Sequence, residues 1–443
     1  MIPKNDIIDL ASRLIKASAA DETEVYFSEG DASLTRFANN TIHQNVSVTN
    51  AQVLIRVAFG KKLGVASSNS LGNASRAVDE ACAIARVSGD SADFAGLPSP
   101  LSARRVNAFD DAAAGCDAAT RAARVKNVVD EAKRVGAVAA GAFSTEAFQT
   151  AVLNSKGVSA YHRGTEASLN VVMMKGGGSG TTLRKGWRLA DVDERAAARM
   201  VAERTVATDN PRDVEPGDYA VVLEPQAVAV LVRFLAYLGF NGKAYHEKRS
   251  FMAGKMGQKI TGDLITLLDD GLDPAGMPMP FDFEGVPKTR VVFVEKGVAK
   301  GMCYDTAIAA AEGTTSTGHA LPAGSTFGPL PLNLQMASGD STLEAMIAST
   351  PKGLLVCNFH YANVAEPMKA VVTGMTRFGL FLIEGGRVVA PVKNLRFTQA
   401  VLDAFATATA LTRERPLLDG MGGGMLVPGM KCESFHFSGK TEF

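Results

Sequence analysis

The chain has 443 residues, 46% of them apolar, and Lys plus Arg equals Asp plus Glu at 46 each. That length can bury a large core in two or three domains, and the balanced charge offers no field to attract a nucleic-acid backbone or an anionic membrane surface. No segment approaches the roughly eighteen apolar residues of a membrane span, the first residues lack a basic stretch followed by an apolar run, and Cys82, Cys116, Cys303, Cys357 and Cys432 are scattered with no Cys-x-x-Cys pair, so a cytoplasmic location with buried, reduced thiols is expected.

The first predicted element is an amphipathic helix with Ile7, Ile8, Ala11, Leu14 and Ile15 on one stripe. Residues 23–28 read as a strand, Asn39-Asn40 as a turn, and Val53, Ile55 and Val57 as an alternating strand that Gly60-Lys61-Lys62 folds back onto residues 63–67. A helix over residues 70–87 starts at a Ser70 cap and stacks Ala77, Val78, Ala81, Ile84 and Ala85. A Pro-containing loop at 96–104 leads into an Ala-rich helical block at 110–135. The order then recurs: a strand at 137–143, a turn at 154–157, a strand at 168–174, a glycine reversal at 176–180 and a helix at 193–205. This pattern predicts an α+β N-terminal domain, residues 1–210, built on a duplicated strand, hairpin and helix unit.

Turn residues concentrate around Asn210-Pro211 and Pro216-Gly217-Asp218, which places a second domain at 211–443. It opens with a strand at 219–223 and a helix at 225–238 whose first turn carries Pro225. Short strands follow at 289–295, 298–304, 354–359, 371–375, 377–384 and 387–391, the last two joined by a tight hairpin at Glu384-Gly385-Gly386-Arg387. Many short strands and few helices predict a curled antiparallel sheet or open barrel.

The pair His246-Glu247 begins like a zinc-protease helix, in which two imidazoles hold the metal and a Glu activates its water. One turn on stands Ser250, and in the next place Phe251, so the second imidazole is missing at both spacings. No metal ligand set and no catalytic set is therefore assigned, His246 and Glu247 being the nearest approach to one. His319, His360 and Cys303 are isolated in sequence and read as structural, although a site rebuilt from them stays open. Lys248-Arg249 reads equally as a carboxylate-binding pair, for a peptide end or a partner's acidic side chain, or as solvated surface. The run from Gly176 to Gly180 lacks the Gly-Lys-Ser/Thr of a phosphate loop and reads as a hairpin turn, while Gly422-Gly423-Gly424 fits either close backbone approach or a connector. There is no Gly-x-Ser-x-Gly elbow.

Several stretches carry a resemblance to a known family: Lys248-Arg249-Ser250-Phe251 with Gly254-Lys255-Met256-Gly257; Asp282-Phe283-Glu284-Gly285-Val286-Pro287; Ser316-Thr317-Gly318-His319; and Ile383-Glu384-Gly385-Gly386-Arg387 leading to Pro391-Val392-Lys393. With the hairpin Gly60-Lys61-Lys62-Leu63-Gly64-Val65-Ala66-Ser67-Ser68, the chain resembles the TldD/PmbA proteins over nearly its whole length, and the Asp-x-Glu-Gly-Val-Pro block is the most specific match. That family is described as modulators of DNA gyrase or as microcin-maturing proteases. The resemblance implies two kinds of subunit, one bearing zinc on a His-Glu-x-x-x-His helix completed by a later Cys. This chain has Phe251 in the second place, no Cys in the stretch 419–424, and Cys432 in what reads as a closing strand.

The resemblance therefore implies the metal-free kind, with no cofactor of its own and zinc in a TldD-like paralogue as partner. It implies a homodimer when the chain is alone, and an unfolded peptide enclosed between subunits. Lys248, Arg249, Gly318 and His319 are the expected peptide- or partner-binding residues. Two alternatives remain at this point: an autonomous metallopeptidase with an atypical ligand set, and a modulator that binds gyrase or another toxin target, for which direct nucleic-acid contact is not expected.

Overall fold

The computed structural model describes residues 1–441. Helix α1 (Lys4–Ala17) buries Ile7, Ala11 and Leu14, three members of its predicted stripe. Strands β1 (Glu22–Ala38) and β2 (Thr41–Phe59) pair antiparallel from Glu22 opposite Ala58 to Ala38 opposite Thr41. Asn39 and Asn40 turn between them at φ 50° and 58°, the left-handed pair that a two-residue hairpin turn demands and that Asn tolerates. Strand β3 (Lys62–Ser68) completes the first three-strand unit, and α2 (Ala74–Val87) packs on it. A Cβ on Gly64 would lie 2.0 Å from the Ala81 carbonyl oxygen, so only glycine lets the helix lie that close. The predicted Ser70 cap is not used: a 3-10 turn at Leu71–Asn73 intervenes and the helix begins at Ala74.

The unit then repeats. The Ala-rich block divides into α3 (Asp111–Ala114) and α4 (Ala118–Arg134), because the Asp117 side chain accepts the Thr120 N–H and caps a fresh helix there. Strands β4 (Val138–Asn154), β5 (Ser159–Lys175) and β6 (Gly178–Gly186) precede α5 (Glu194–Ala207). The six strands form one sheet in the order β3-β2-β1-β4-β5-β6, so the two copies meet along the antiparallel β1–β4 pair and the duplication is structural. The helices cover one face, where two apolar clusters gather residues such as Val25, Phe27 and Ile55 in the first copy and Phe143, Leu169 and Val171 in the second. β4 runs well past the predicted 137–143, since its other face carries Ser144, Glu146 and Thr150, which break any simple apolar alternation.

The second half contributes β7 (Gly217–Leu223), α6 (Pro225–Gly239) and α7 (Gly242–His246), the first two close to prediction. It builds two open sheets. A six-stranded one runs Val298–Ala299, Val291–Glu295, Leu267–Asp269, Asn333–Met336, Gly424–Leu426, Leu417–Asp419 in space. The other places β7 between Met430–Lys440 and Lys352–Val356, with Phe359–Glu366 at one margin and Arg387–Pro391 at the other. Both are chiefly antiparallel, but β7 with Lys352–Val356, and Asn333–Met336 with Gly424–Leu426, pair parallel. Helix α6 is apolar almost all round because it lies between the sheets: Val228, Leu231 and Leu235 share one cluster with Leu267 and Phe293 of the first sheet and Leu354 and Phe397 of the second. The strand predicted at 298–304 shrinks to Val298–Ala299, after which the chain forms a helix at Thr306–Ala311. Among the described residues no helix is long and apolar enough to cross a membrane.

Candidate functional site around His246 and the Asp282 block

Helix α7 is short and well anchored at its start, where the Asn241 side chain accepts the Lys243 and Ala244 N–H groups. It ends at His246, and the chain leaves through Lys248 in a left-handed turn at φ 56°. His246, Glu247, Lys248 and Arg249 are all exposed. His246 Nδ1 lies 2.5 Å from Glu312 Oε1, and that hydrogen bond raises the imidazole pKa above its ordinary value. The Glu247 carboxylate is bound by the Arg249 guanidinium two residues on. The expected basic pair is thus divided, with Arg249 engaged locally and Lys248 open to solvent.

Position 251 explains why no second imidazole can join them. Phe251 is 1% exposed and turns into the core, its ring 6.3 Å from that of Phe240. A Cβ on Gly239 would come within 2.2 Å of the Phe251 ring, so α6 carries a glycine where this aromatic side chain seats. Ser250 is also buried and donates to the Gly239 carbonyl. All five thiols are buried, and burial pushes Cys432, inside Met430–Lys440, up to about 12. Among the described residues no three His, Cys, Asp or Glu side chains converge as a metal ion needs.

Gly318 and His319 lie inside the molecule. Gly318, at φ 74°, passes so close to Pro287 that an added Cβ would sit 2.4 Å from its carbonyl oxygen. His319 Nε2 is 3.0 Å from Asp269 Oδ1 and its Nδ1 is 2.9 Å from Thr317 Oγ1. Burial keeps the pKa of this imidazole below its ordinary value. Burial would raise Asp269, but the nearby Lys288 ammonium and the His319 hydrogen bond hold its carboxyl below the usual range. Asp269 Oδ2 also accepts the Asn333 N–H at 2.6 Å, tying the segment around His319 to two strands. His360 and Cys303 are not drawn into this cluster as metal donors: Cys303 is fully buried, and the His360 ring meets that of Tyr361 edge-on.

The Asp-x-Glu-Gly-Val-Pro block has a definite task. Asp282 Oδ1 accepts the Glu284 and Val286 N–H groups and its Oδ2 accepts that of Ala320, which fixes a tight turn. The turn presents Glu284 to the N-terminal sheet, where Arg56 Nη1 donates to Glu284 Oε1 at 2.9 Å and Arg56 Nη2 to Glu24 Oε2 at 2.7 Å. Gly285, at φ 76°, lets the block approach Val158 of the β4–β5 hairpin end, and Phe283 packs its ring 5.3 Å from Tyr26. Burial raises the Glu24 pKa while Arg56 opposes it, and the two carboxylates hold the guanidinium firmly charged. Sequence reasoning missed Arg56 and Glu24, which lie far from the block along the chain and carry no local signal.

Models of the first, central and C-terminal domains of the PmbA/TldA metallopeptidases match residues 23–85, 98–208 and 216–439. The chain belongs to the PmbA/TldA metallopeptidase family. TldE from Thermococcus kodakarensis has the same fold, with a TM-score of 0.89 at 22% identity over 98% of this chain and 100% of that one. A Thermotoga maritima protein described as a candidate modulator of a DNA gyrase gives 0.88 at 17%, over 98% and 100%. A metalloprotease TldD homologue from Buchnera aphidicola is 26% identical over 236 residues, 50% of this chain and 48% of the homologue. The chain spans about half the length of the curated relatives it matches, or somewhat less. The metal that the family's name implies does not fit the donors of this PmbA/TldA chain: one imidazole is available in α7, it is engaged by Glu312, and the next candidate position is a core phenylalanine.

Proposed function

We propose that this chain is the metal-free subunit of a TldD/TldE-type peptidase complex, in which a zinc-bearing paralogue supplies hydrolysis and this chain helps to enclose an unfolded peptide. The observation that carries the reading is Phe251: the place of a second imidazole is filled by a side chain built into the core, with Gly239 shaped around it. A single surface imidazole gives a cation too few protein ligands, and Glu247, bound by Arg249, has no metal-held water to activate. The exposed Lys248 and its neighbours then serve as partner-facing surface, in the cytoplasm, with a homodimer forming when the paralogue is absent.

The test is co-expression with a paralogue from the same organism that keeps both histidines. Co-purification is expected, with cleavage of unfolded peptides by the mixture and none by this chain alone. Stoichiometric zinc in the isolated chain, lost in His246→Ala and accompanied by cleavage, would overturn the reading in favour of an autonomous metallopeptidase.

A further inference from the structure

The helix-free face of the N-terminal sheet is only partly covered by the second half. Beyond the contacts of the Asp282 block with Tyr26, Arg56 and Val158 part of it stays open, and its floor there is made of small residues such as Ser28, Gly30, Ala32 and Ser144. Two adjoining cavities of about 530 and 170 Å³ lie along this floor, and both include Glu146. A third, of about 230 Å³, opens from the same point between the sheet and the segments around Pro278 and Gly422. That volume is below the roughly 300 Å³ at which drug-sized pockets begin, and it suits one side chain reached from a groove. Its walls include the rings of Tyr26, Phe148 and Trp187.

The charges around it are unbalanced. Glu146 and Glu166 face each other across the β4–β5 register. Glu166 is paired with Lys185 at 2.9 Å, and Lys185 also lies 3.7 Å from Asp419. Among the described residues the Glu146 side chain has neither a hydrogen bond nor an ion pair; it lies over Gly30, where a Cβ would approach Oε1 to 2.7 Å. Three carboxylates thus face one ammonium. His162, in the same wall, is 6% exposed with Nε2 unpartnered, and burial lowers its pKa to about 4, so it brings no compensating charge. A half-buried carboxylate lining the same cavity as the rings of Tyr26, Phe148 and Trp187 favours a cation on an aliphatic stem, since ring faces and carboxylate both attract it.

We propose that this cavity takes one lysine or arginine side chain of an extended peptide lying in the groove, with the Glu146 carboxylate binding its cationic head. The inference rests on the peptide-enclosing part of the proposed function and is independent of the paralogue. Trp187, the sole tryptophan, stands in the wall and reports occupancy through its fluorescence. Full-length protein is titrated with a blocked hexapeptide carrying one lysine, and with the same peptide carrying Nε-acetyl-lysine or norleucine. The lysine peptide is expected to bind at least about tenfold more tightly than either, a preference of about 1.4 kcal/mol. Glu146→Gln removes that preference without lowering the melting temperature, and Phe148→Leu weakens binding of the lysine peptide severalfold. Equal binding of all three peptides, or a lysine preference that survives in Glu146→Gln, overturns the cation assignment and leaves the peptide-enclosing reading standing. Failure of every peptide to bind, with and without the paralogue, overturns both.

Discussion

Two stretches of the second half carry family motifs, and the protein treats them in opposite ways. The His246 segment looks like chemistry but is exposed, and its charges are spent on neighbours: Glu312 on His246, Arg249 on Glu247. The Asp282–Pro287 block has no catalytic pattern, yet its two carboxylates are buried, and beyond the turn that Asp282 closes within the block they reach Ala320 and Arg56 on other elements. A motif kept by packing and a motif that resembles a site are different things, and burial separates them here. The protease-like spacing around His246 marks an exposed scaffold position, whereas the block ties the second half to the N-terminal sheet through Arg56.

The largest expected effect comes from removing Arg56. Arg56→Met leaves Glu24 and Glu284 desolvated beside each other without a counter-charge, and loss of one partner from such a pair costs about 3–5 kcal/mol. Denaturant unfolding should show that loss, and Glu24→Gln combined with Glu284→Gln in the Arg56→Met background should recover part of it. An Arg56→Met protein as stable as wild type would mean that the block does not clamp the halves. Of similar size is Phe251→Ala, expected to cost about 3–5 kcal/mol as a large buried aromatic deletion. Phe251→His is expected to destabilise as well, and to gain no zinc by elemental analysis, because the backbone there directs the side chain inward.

Titration sharpens the contrast between a buried and an exposed histidine. Burial lowers His162 to about 4 from 6.5, so the unfolded state binds the proton first. The stability this group contributes is complete above pH about 6.5 and is lost as pH falls towards 4, with a limiting size of about 3 kcal/mol. As the pH drops across that range the melting temperature of wild type should fall relative to that of His162→Phe. Parallel curves would show that His162 is not buried in its neutral form.

Much of the architecture was legible. The stripe of α1, the Asn39-Asn40 turn, the repeated unit and the Pro225 helix all follow from local periodicity and turn chemistry. The parallel pairs in the second half were not, because pairing partners such as β7 and Lys352–Val356 are set by the packing of α6 and not by any local signal. Strands of three or four residues, such as Leu267–Asp269 and Asn333–Met336, are too short to show a period. At the site, the missing imidazole was readable from Phe251, but the reason was not: the glycine that receives its ring sits twelve positions earlier, in α6. Glu146 gave no sign at all, since an isolated Glu in a strand with polar neighbours reads as solvated surface.

The smallest expected effect belongs to His246, and its direction is opposite to that of His162. Its hydrogen bond to Glu312 raises the folded pKa, so whatever stability it contributes is present below pH about 6.5 and disappears as pH rises through the raised value. Because the pair is exposed, solvent screens it. His246→Ala should therefore leave the melting curve at pH 8 superimposable on that of wild type and shift it only slightly at pH 5.5. A large loss of stability at either pH would place His246 in the fold's framework, and a loss that appears only in the presence of zinc would make it a ligand after all.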